Sequence, residues 1–313
     1  MKRFILNLVL FLFSSVTTYI LLLCFWGDFV PNGILQNNLN FDRSFITEKR
    51  FQEAKFTKDV TILFLGSSHT YRGFDTRTFK KIGIKAFNLG SSSQTPIQTE
   101  ILLHRYLTGL NPKIVIYEVN PEMLSVDGIE SSLDIIANDK NDKYSIQLAC
   151  EQNHIKVYNS VIYGFYTNFI RKKHIQTTTK NYIDTYIPGG YVERKMIGFD
   201  NKHFPKLNNL IYNEKQVKHF DNILSMLRNR KINVFLIEAP IHSRAFNSYS
   251  NRNDFTKKMR RYGRYSNFNV NNKLNDTIHF YDYQHLNKNG VREFNRRLID
   301  TLKLIYPKTF NHK

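Results

Sequence analysis

Cysteine is scarce in this sequence. The 313 residues include two, Cys24 and Cys150, whereas small secreted domains that depend on disulfides carry several pairs. We therefore expect no intrachain disulfide and a fold that depends on its hydrophobic core, for which 42% hydrophobic and 14% aromatic residues are sufficient. The three leucines before Cys24 fit a lipidation site poorly, so a thiol buried in the membrane is the favoured interpretation of Cys24.

Motifs for nucleotides and metals are also missing. The sequence contains neither G-x-G-x-x-G nor G-x-x-x-x-G-K-[ST], the glycine-rich patterns that cradle phosphate groups. No set of histidine, cysteine and acidic residues has the spacing of a metal site. We predict that the protein uses neither a cofactor nor a metal ion.

Acidic residues are few compared with basic ones. There are 26 aspartates and glutamates against 45 lysines and arginines, which gives a net charge of +19. This charge is typical of proteins that contact nucleic acid, an anionic membrane or an anionic glycan. One short basic cluster, Arg171, Lys172 and Lys173, is our candidate for substrate binding, although such a run usually forms a solvated face.

The sequence has one long apolar run near its N-terminus. Residues 4–26 carry no charge and are long enough to span a bilayer. Lys2 and Arg3 precede the run and Asp28 follows it, which predicts a cytoplasmic N-terminus and a body on the outer face of the cell membrane. No small-x-small cleavage site follows, so we predict an uncleaved anchor over residues 1–27. The outer-face placement argues against nucleic acid as a partner.

The rest of the chain predicts an α/β domain. Residues 28–57 lack periodicity and predict a stalk, and residues 58–313 are assigned to the domain. Apolar runs predict five strands, at residues 60–65, 84–88, 113–119, 232–238 and 277–281. Helical patterns lie between them, which predicts a three-layer α/β/α fold with a five-stranded parallel, flavodoxin-like sheet. Residues 122–211 interrupt the alternation and predict a lid-like insertion.

Chemically suitable residues follow several of the predicted strands. Ser68 lies in a Gly-Ser-Ser turn after the first strand, and Asp282 and His285 follow the last strand at a spacing of three. Gly90 and Asn120 follow the second and third strands. The carboxyl ends of parallel strands share one sheet edge, where ligands bind. Serine, histidine and aspartate at that edge are the parts of an acyl-transfer triad.

The same residues resemble the sequence blocks of the SGNH (GDSL-like) hydrolase superfamily. Its blocks are matched, in order, by Gly66-Ser67-Ser68, Asn88-Leu89-Gly90, Asn120 and Asp282-x-x-His285 followed by Leu286-Asn287-x-x-Gly290. The resemblance implies that Ser68 is the nucleophile and that Asp282 and His285 complete the triad. It also implies an oxyanion hole formed by Ser68, Gly90 and Asn120. Ser67 replaces the usual aspartate of the first block, as in the membrane-anchored D-alanine transfer proteins of teichoic acid synthesis. The chain therefore resembles the membrane-anchored branch of D-alanine transfer and polysaccharide O-acetylation proteins.

Each of these residues has a structural alternative. Ser68 could be a turn residue or a helix cap, and Asn120 before Pro121 is also an ordinary way to open a loop. His69, His242 and His279 have no partner that the sequence identifies, so a structural or solvent-exposed role is favoured for them.

Taken together, these features predict a membrane-anchored serine esterase or O-acyltransferase that works through an acyl-serine. The expected substrate is an ester group, acetyl by analogy, on a cell-surface or exported polysaccharide or another acylated carbohydrate. A transferase also needs a donor, for which a membrane acyl-donor protein is one candidate partner. The alternative is a non-catalytic polysaccharide-binding or assembly protein with the same fold.

Overall fold

A computed structural model describes residues 1–30, 34, 38–170, 183–195, 199–200, 206, 209–270 and 274–310. Helix α1 (Lys2–Phe29) contains the whole predicted apolar run, residues 4–26. Within the described ranges it is the one helix long and apolar enough to cross a membrane. Nearly all of its side chains are exposed, as expected for a helix that lipid would surround.

Five parallel strands form the central sheet, which confirms the predicted fold class. The strands are β1 (Ile62–Leu65), β2 (Ala86–Asn88), β3 (Ile114–Glu118), β6 (Asn233–Glu238) and β7 (Tyr265–Asn267). Their spatial order is β2-β1-β3-β6-β7, the flavodoxin-like order. Ile62 is in register with Ala86 on one side and with Ile114 on the other. The strand order therefore changes direction between β1 and β3. Ser68 and Asn120 follow the carboxyl ends of these two strands.

Helices cover both faces of this sheet. One face packs on α5 (Pro96–Leu110) and α9 (Glu214–Asn229), and the other on α4 (Thr76–Lys80) and α12 (Lys288–Ile305). Successive strand residues point to opposite faces, so Leu63 and Leu65 belong to the first core and Ile62 and Phe64 to the second. Because both faces are buried, the strand sequences are continuous apolar runs.

The fifth strand is not the one that the sequence predicts. Residues 277–281 form turns with one isolated bridge, between Phe280 and Leu286, and the fifth strand is the short edge strand β7. The backbone of residues 277–281 pairs instead with its own loop: the N–H of Tyr281 donates to the carbonyl oxygen of His285 at 3.1 Å. The apolar character of this segment reflects packing, because Phe280 belongs to the core beneath α12.

Part of the predicted stalk is a helix of the domain. Helix α2 (Phe45–Phe56) is capped by Ser44, whose hydroxyl accepts the N–H of Thr47 at 3.4 Å. The side chain of Phe51 is 0% exposed and stacks on Tyr106 of α5. Residues 45–56 therefore pack into the domain rather than linking it loosely to the anchor.

The predicted insertion contains regular structure. A 3₁₀ turn (Pro121–Leu124) leads to helices α6 (Ile129–Asn138), α7 (Lys143–Gln152) and α8 (Ile155–Phe169), and then to an antiparallel hairpin of β4 (Asp184–Ile187) and β5 (Tyr191–Arg194). The helices pack on α5 through Ile97 and Ile101. The remaining helices are α3 (Ser68–Gly73), α10 (Ser243–Phe246), α11 (Arg252–Tyr262) and α13 (Pro307–Phe310).

Hydrogen bonds join the C-terminal part of helix α1, from Tyr19 to Asp28, to helix α8. The hydroxyl of Tyr19 donates to Asn159 Oδ1 at 2.6 Å, and the hydroxyl of Tyr166 donates to Asp28 Oδ2 at 2.8 Å. The hydroxyl of Tyr163 lies 2.9 Å from Asp28 Oδ1. A Cβ on Gly27 would lie 2.3 Å from the Tyr163 ring, so glycine permits this close approach. The anchor and the domain are therefore joined by specific contacts.

Candidate active site

Ser68 lies on the sharp turn between β1 and α3. Gly66 has a φ of +137°, and a Cβ there would lie 2.3 Å from Thr70 Oγ1, so the turn requires glycine. Ser68 is the first residue of α3, and within the described residues its backbone N–H has no hydrogen-bond partner. Both the hydroxyl and this N–H are thus available at the carboxyl edge of the sheet.

The structure brings Ser68, His285 and Asp282 together. Ser68 Oγ lies 2.7 Å from His285 Nε2, and His285 Nδ1 lies 2.9 Å from Asp282 Oδ2. Asp282 Oδ1 also accepts the backbone N–H groups of Gln284 and His285 at 2.7 Å each. The ring of Tyr281 stacks on the imidazole at 5.4 Å with an interplanar angle of 5°. The loop after residue 281 therefore fixes the position and the tilt of His285.

The surroundings of this pair keep Asp282 ionised and His285 neutral. Burial disfavours the charged form of Asp282, but the hydrogen bonds from His285 and the backbone outweigh it, so the pKa of Asp282 is lowered. Burial also lowers the pKa of His285. Asp282 opposes that effect, while the charges of His69 and Arg72 add to it. His285 is consequently neutral near pH 7 and able to accept the proton of Ser68.

Asn120 lies next to the serine turn. Its Nδ2 donates to Ser67 Oγ at 3.2 Å, and its Oδ1 accepts the N–H of Met123 at 3.2 Å. The second bond caps the 3₁₀ turn and holds the amide group with its N–H₂ end toward the serines. Ser67 Oγ in turn donates to Glu118 Oε2 at 3.5 Å. Asn120 is therefore both a cap and a polar group of the site.

Gly90 lies under the serine turn. A Cβ at this position would be 2.9 Å from the carbonyl oxygen of Gly66 and 3.0 Å from that of Ser67, so only glycine permits this packing. The N–H of Gly90 donates to Asn88 Oδ1 at 3.1 Å. In this structure the Gly90 N–H is thus engaged within its own loop.

The sequence interpretation missed a buried pair of titratable groups beside the serine. Glu118, the last residue of β3, is 1% exposed, and His69 Nδ1 lies 3.4 Å from its Oε1. Burial lowers the pKa of His69, but the nearby carboxylates, Glu118 first, outweigh it and the pKa is raised. The available signal was a glutamate that ends an apolar strand, because a buried charge needs a partner.

A cleft of about 130 Å³ opens above these groups. It is lined by Ser67, Ser68, His69, Ser93, Gln94, Asn120, Glu122, Met123, Val126, Gln284 and His285. Ser93 is a non-glycine residue in the left-handed region, with a φ of +48°. None of the lining residues is a lysine or an arginine, so the positive charge of the protein lies elsewhere.

Two further sequence predictions concern binding. Arg171, Lys172 and Lys173 lie outside the described residues. Among the residues that are described, no group of three or more histidine, cysteine or acidic side chains could hold a metal ion. The chemistry that the described site can perform is proton transfer from a hydroxyl to an imidazole, beside N–H groups that could bind an anion.

Comparisons with known proteins give structural matches alone. No family model and no curated protein matches the chain. A crystal structure described as a "putative acylhydrolase" from Bacteroides fragilis NCTC 9343 matches with 12% identity and a TM-score of 0.40, over 83% of this chain and 99% of that one. A GDSL-like lipase from Bacteroides thetaiotaomicron VPI-5482 matches with 12% identity and a TM-score of 0.41, over 82% of this chain and 99% of that one. At this level of similarity, the chemistry of the chain has to be judged from its own residues.

Proposed function

We propose that the protein is a membrane-anchored serine esterase or O-acyltransferase of the SGNH (GDSL-like) type. The observation that carries the proposal is the 2.7 Å contact between Ser68 Oγ and His285 Nε2, with Asp282 on the other ring nitrogen. In this mechanism His285 removes the proton of Ser68 as Oγ attacks an ester carbonyl. Asp282 holds the ring in the correct tautomer and stabilises the imidazolium that forms.

The negative charge that develops on the carbonyl oxygen needs donors. The backbone N–H of Ser68 at the start of α3 and the Nδ2 group of Asn120 are the proposed donors in this structure. One such donor is typically worth about 3 kcal/mol in the barrier. Gly90 stays a candidate third donor, and its N–H would first have to leave Asn88.

The size of the cleft favours a short acyl group. About 130 Å³ is well below the roughly 300–1,000 Å³ of pockets that hold larger ligands. Acetyl is therefore the proposed acyl group. After the alcohol leaves, the acyl-serine passes the group to water in an esterase, or to a sugar hydroxyl in a transferase.

The surroundings of the cleft bear on the substrate class. The net charge of +19 supports an anionic cell-surface or exported glycan, with Arg171, Lys172 and Lys173 as proposed contacts. Helix α1 supports a single-pass anchor with a cytoplasmic N-terminus and the domain outside the cell. A membrane acyl-donor protein is the proposed partner of a transferase.

Covalent labelling tests the nucleophile. The full-length protein in detergent is treated with a fluorophosphonate, and the adduct is mapped by mass spectrometry. We expect an adduct on Ser68 that is absent in Ser68→Ala and His285→Ala, because activation needs the hydroxyl and the base. Asp282→Asn should slow labelling by up to roughly 10⁴-fold through the wrong tautomer.

Ser67 provides the matched control in the same turn. Ser67→Ala removes a neighbouring hydroxyl and should leave the adduct on Ser68. Labelling of Ser67 instead would refute the assignment of the nucleophile. An unlabelled protein with the circular dichroism of the folded state would favour the non-catalytic, glycan-binding alternative.

A further inference from the structure

The buried carboxylate of Glu118, beneath the cleft, favours the protonated form of the neighbouring His69. Glu118 is 1% exposed and accepts one weak hydrogen bond, from Ser67 at 3.5 Å. Within the described part of the chain, His69 is the one cation-forming side chain within 4 Å of it. An isolated buried carboxylate is strongly unfavourable. Glu118 Oε1 has no hydrogen-bond partner among the described residues, so a proton on His69 Nδ1, 3.4 Å away, would stabilise the pair.

The other edge of the His69 ring faces the cleft. His69 lines the cleft beside Ser68, and its ring centroid lies 5.4 Å from that of His285. Nδ1 lies 3.4 Å from Glu118 Oε1 and 3.3 Å from Asn120 Nδ2, and among the described residues Nε2 has no hydrogen-bond partner. With Nδ1 protonated toward Glu118, Nε2–H is a charged donor on the opposite side of a ring that lines the cleft.

We propose that His69 is a further catalytic residue, held as an imidazolium by Glu118, whose Nε2–H donates a hydrogen bond to the carbonyl oxygen that becomes negative when Ser68 attacks. This role rests on the function proposed above. Because the Gly90 N–H is engaged by Asn88, His69 would join the Ser68 N–H and Asn120 in the donor set.

The step keeps its atoms and charges in balance. The bond between Ser68 Oγ and the carbonyl carbon forms, the π pair moves to the carbonyl oxygen, and the serine proton moves to His285 Nε2. His69 donates a hydrogen bond and keeps its proton throughout. When the tetrahedral species collapses, the bond to the leaving oxygen breaks and that oxygen takes the proton from His285.

The proposed mechanism requires opposite protonation states of the two histidines, His69 and His285. Glu118 from β3, Glu122 from the 3₁₀ turn and Asp282 from the C-terminal loop all raise the pKa of His69 against the effect of burial. Burial, His69 and Arg72 lower the pKa of His285 against the effect of Asp282. The active form has neutral His285 and protonated His69. The rate should therefore rise with pH through the lowered pKa of His285 and fall through the raised pKa of His69.

The pH profile of kcat/KM for p-nitrophenyl acetate tests this role in the full-length protein. We expect a bell-shaped profile for the wild type. His69→Gln should lose the alkaline limb that reports His69 and lower the maximum by roughly 100-fold, the typical cost of one oxyanion donor. Glu118→Gln should move the alkaline limb to lower pH, because His69 loses its counter-charge.

Two further variants keep the result interpretable. The double variant His69→Gln/Glu118→Gln removes both buried charges. It should therefore fold even if a single variant, which leaves one buried charge unpaired, does not. Its pH profile should be that of His69→Gln. His104→Gln is the matched control: His104 Nε2 lies 3.6 Å from Glu100, remote from the cleft, and its loss should leave both limbs in place.

The outcomes separate this role from the proposed function. If Ser68 is labelled but the folded His69 variants keep the wild-type rate and alkaline limb, the role of His69 is refuted and the serine mechanism stands. If the wild type neither labels at Ser68 nor hydrolyses the ester, the proposed function fails and the role of His69 fails with it.

Discussion

Gly190 shows how one backbone position holds the β4–β5 hairpin against the central sheet. It has a φ of +88°, and a Cβ there would lie 2.2 Å from the carbonyl oxygen of Asn88. The neighbouring Gly189 accepts the N–H of Asn88 at 2.8 Å. Arg50, fully buried, donates through Nε to the carbonyl oxygen of Gly190 at 3.1 Å. The hairpin tip is thus packed against the end of β2, one loop away from the cleft.

We expect Gly190→Ala to lower the free energy of unfolding by about 3 kcal/mol, from the strained dihedral together with the clash. Gly83→Ala is the matched control, because Gly83 has a φ of +76° and a Cβ there would meet no atom of the described residues within 4 Å. It should cost about 1 kcal/mol through the dihedral alone. Urea unfolding followed by circular dichroism measures both. Equal losses would show that the hairpin tip tolerates a methyl group.

The residues of the candidate site differ in how far the sequence could predict them. Ser68, Asp282 and His285 could be placed because each follows an apolar segment, and the topology brings them within hydrogen-bond distance. The partnership of His69 with Glu118 joins helix α3 to the end of strand β3, two elements that are far apart in sequence. It depends on β1 and β3 being neighbours in the sheet, which no local pattern encodes.

At the scale of elements, α2 is the part of the chain whose role differs most from its sequence pattern. We expect Phe51→Ala to destabilise the protein by about 3–5 kcal/mol, because its side chain is 0% exposed in the core. Phe56→Ala on the same helix is the control, since Phe56 is 83% exposed, and it should change stability by less than about 0.5 kcal/mol. Thermal unfolding of both variants measures the difference. A tolerated Phe51→Ala would restore the stalk interpretation of residues 45–56.

The buried strands of the sheet could be predicted, and its polar edge strand could not. Strands β1, β3 and β6 are buried on both faces and have the composition of such strands. Strand β7 is a three-residue edge strand, Tyr265–Asn267, in which the Tyr265 hydroxyl and the Asn267 amide donate to Glu238. Its pairing is set by tertiary contacts, which override local propensity.

At the scale of the whole molecule, the prediction concerns topology. With a cytoplasmic N-terminus, protease added to intact cells or spheroplasts should degrade the domain and leave an N-terminal tag protected until the membrane is opened. Immunoblotting with antibodies to each end of the chain distinguishes the two ends. Permeabilised cells serve as the control for protease activity. A domain that stays intact until permeabilisation would overturn the outer-face assignment and the proposed class of substrate.

The bonds between α1 and α8 have a consequence for where the protein can work. Tyr19, Tyr163 and Tyr166 hold the last turns of the anchor directly against the domain. With α1 in a bilayer, the cleft would stay in a thin layer at one height above the lipid. Acceptors would have to enter that layer, and turnover would follow their local concentration beside the membrane rather than their concentration in bulk. Under the proposed function, a glycan would then be modified only along the part of its chain that enters this layer.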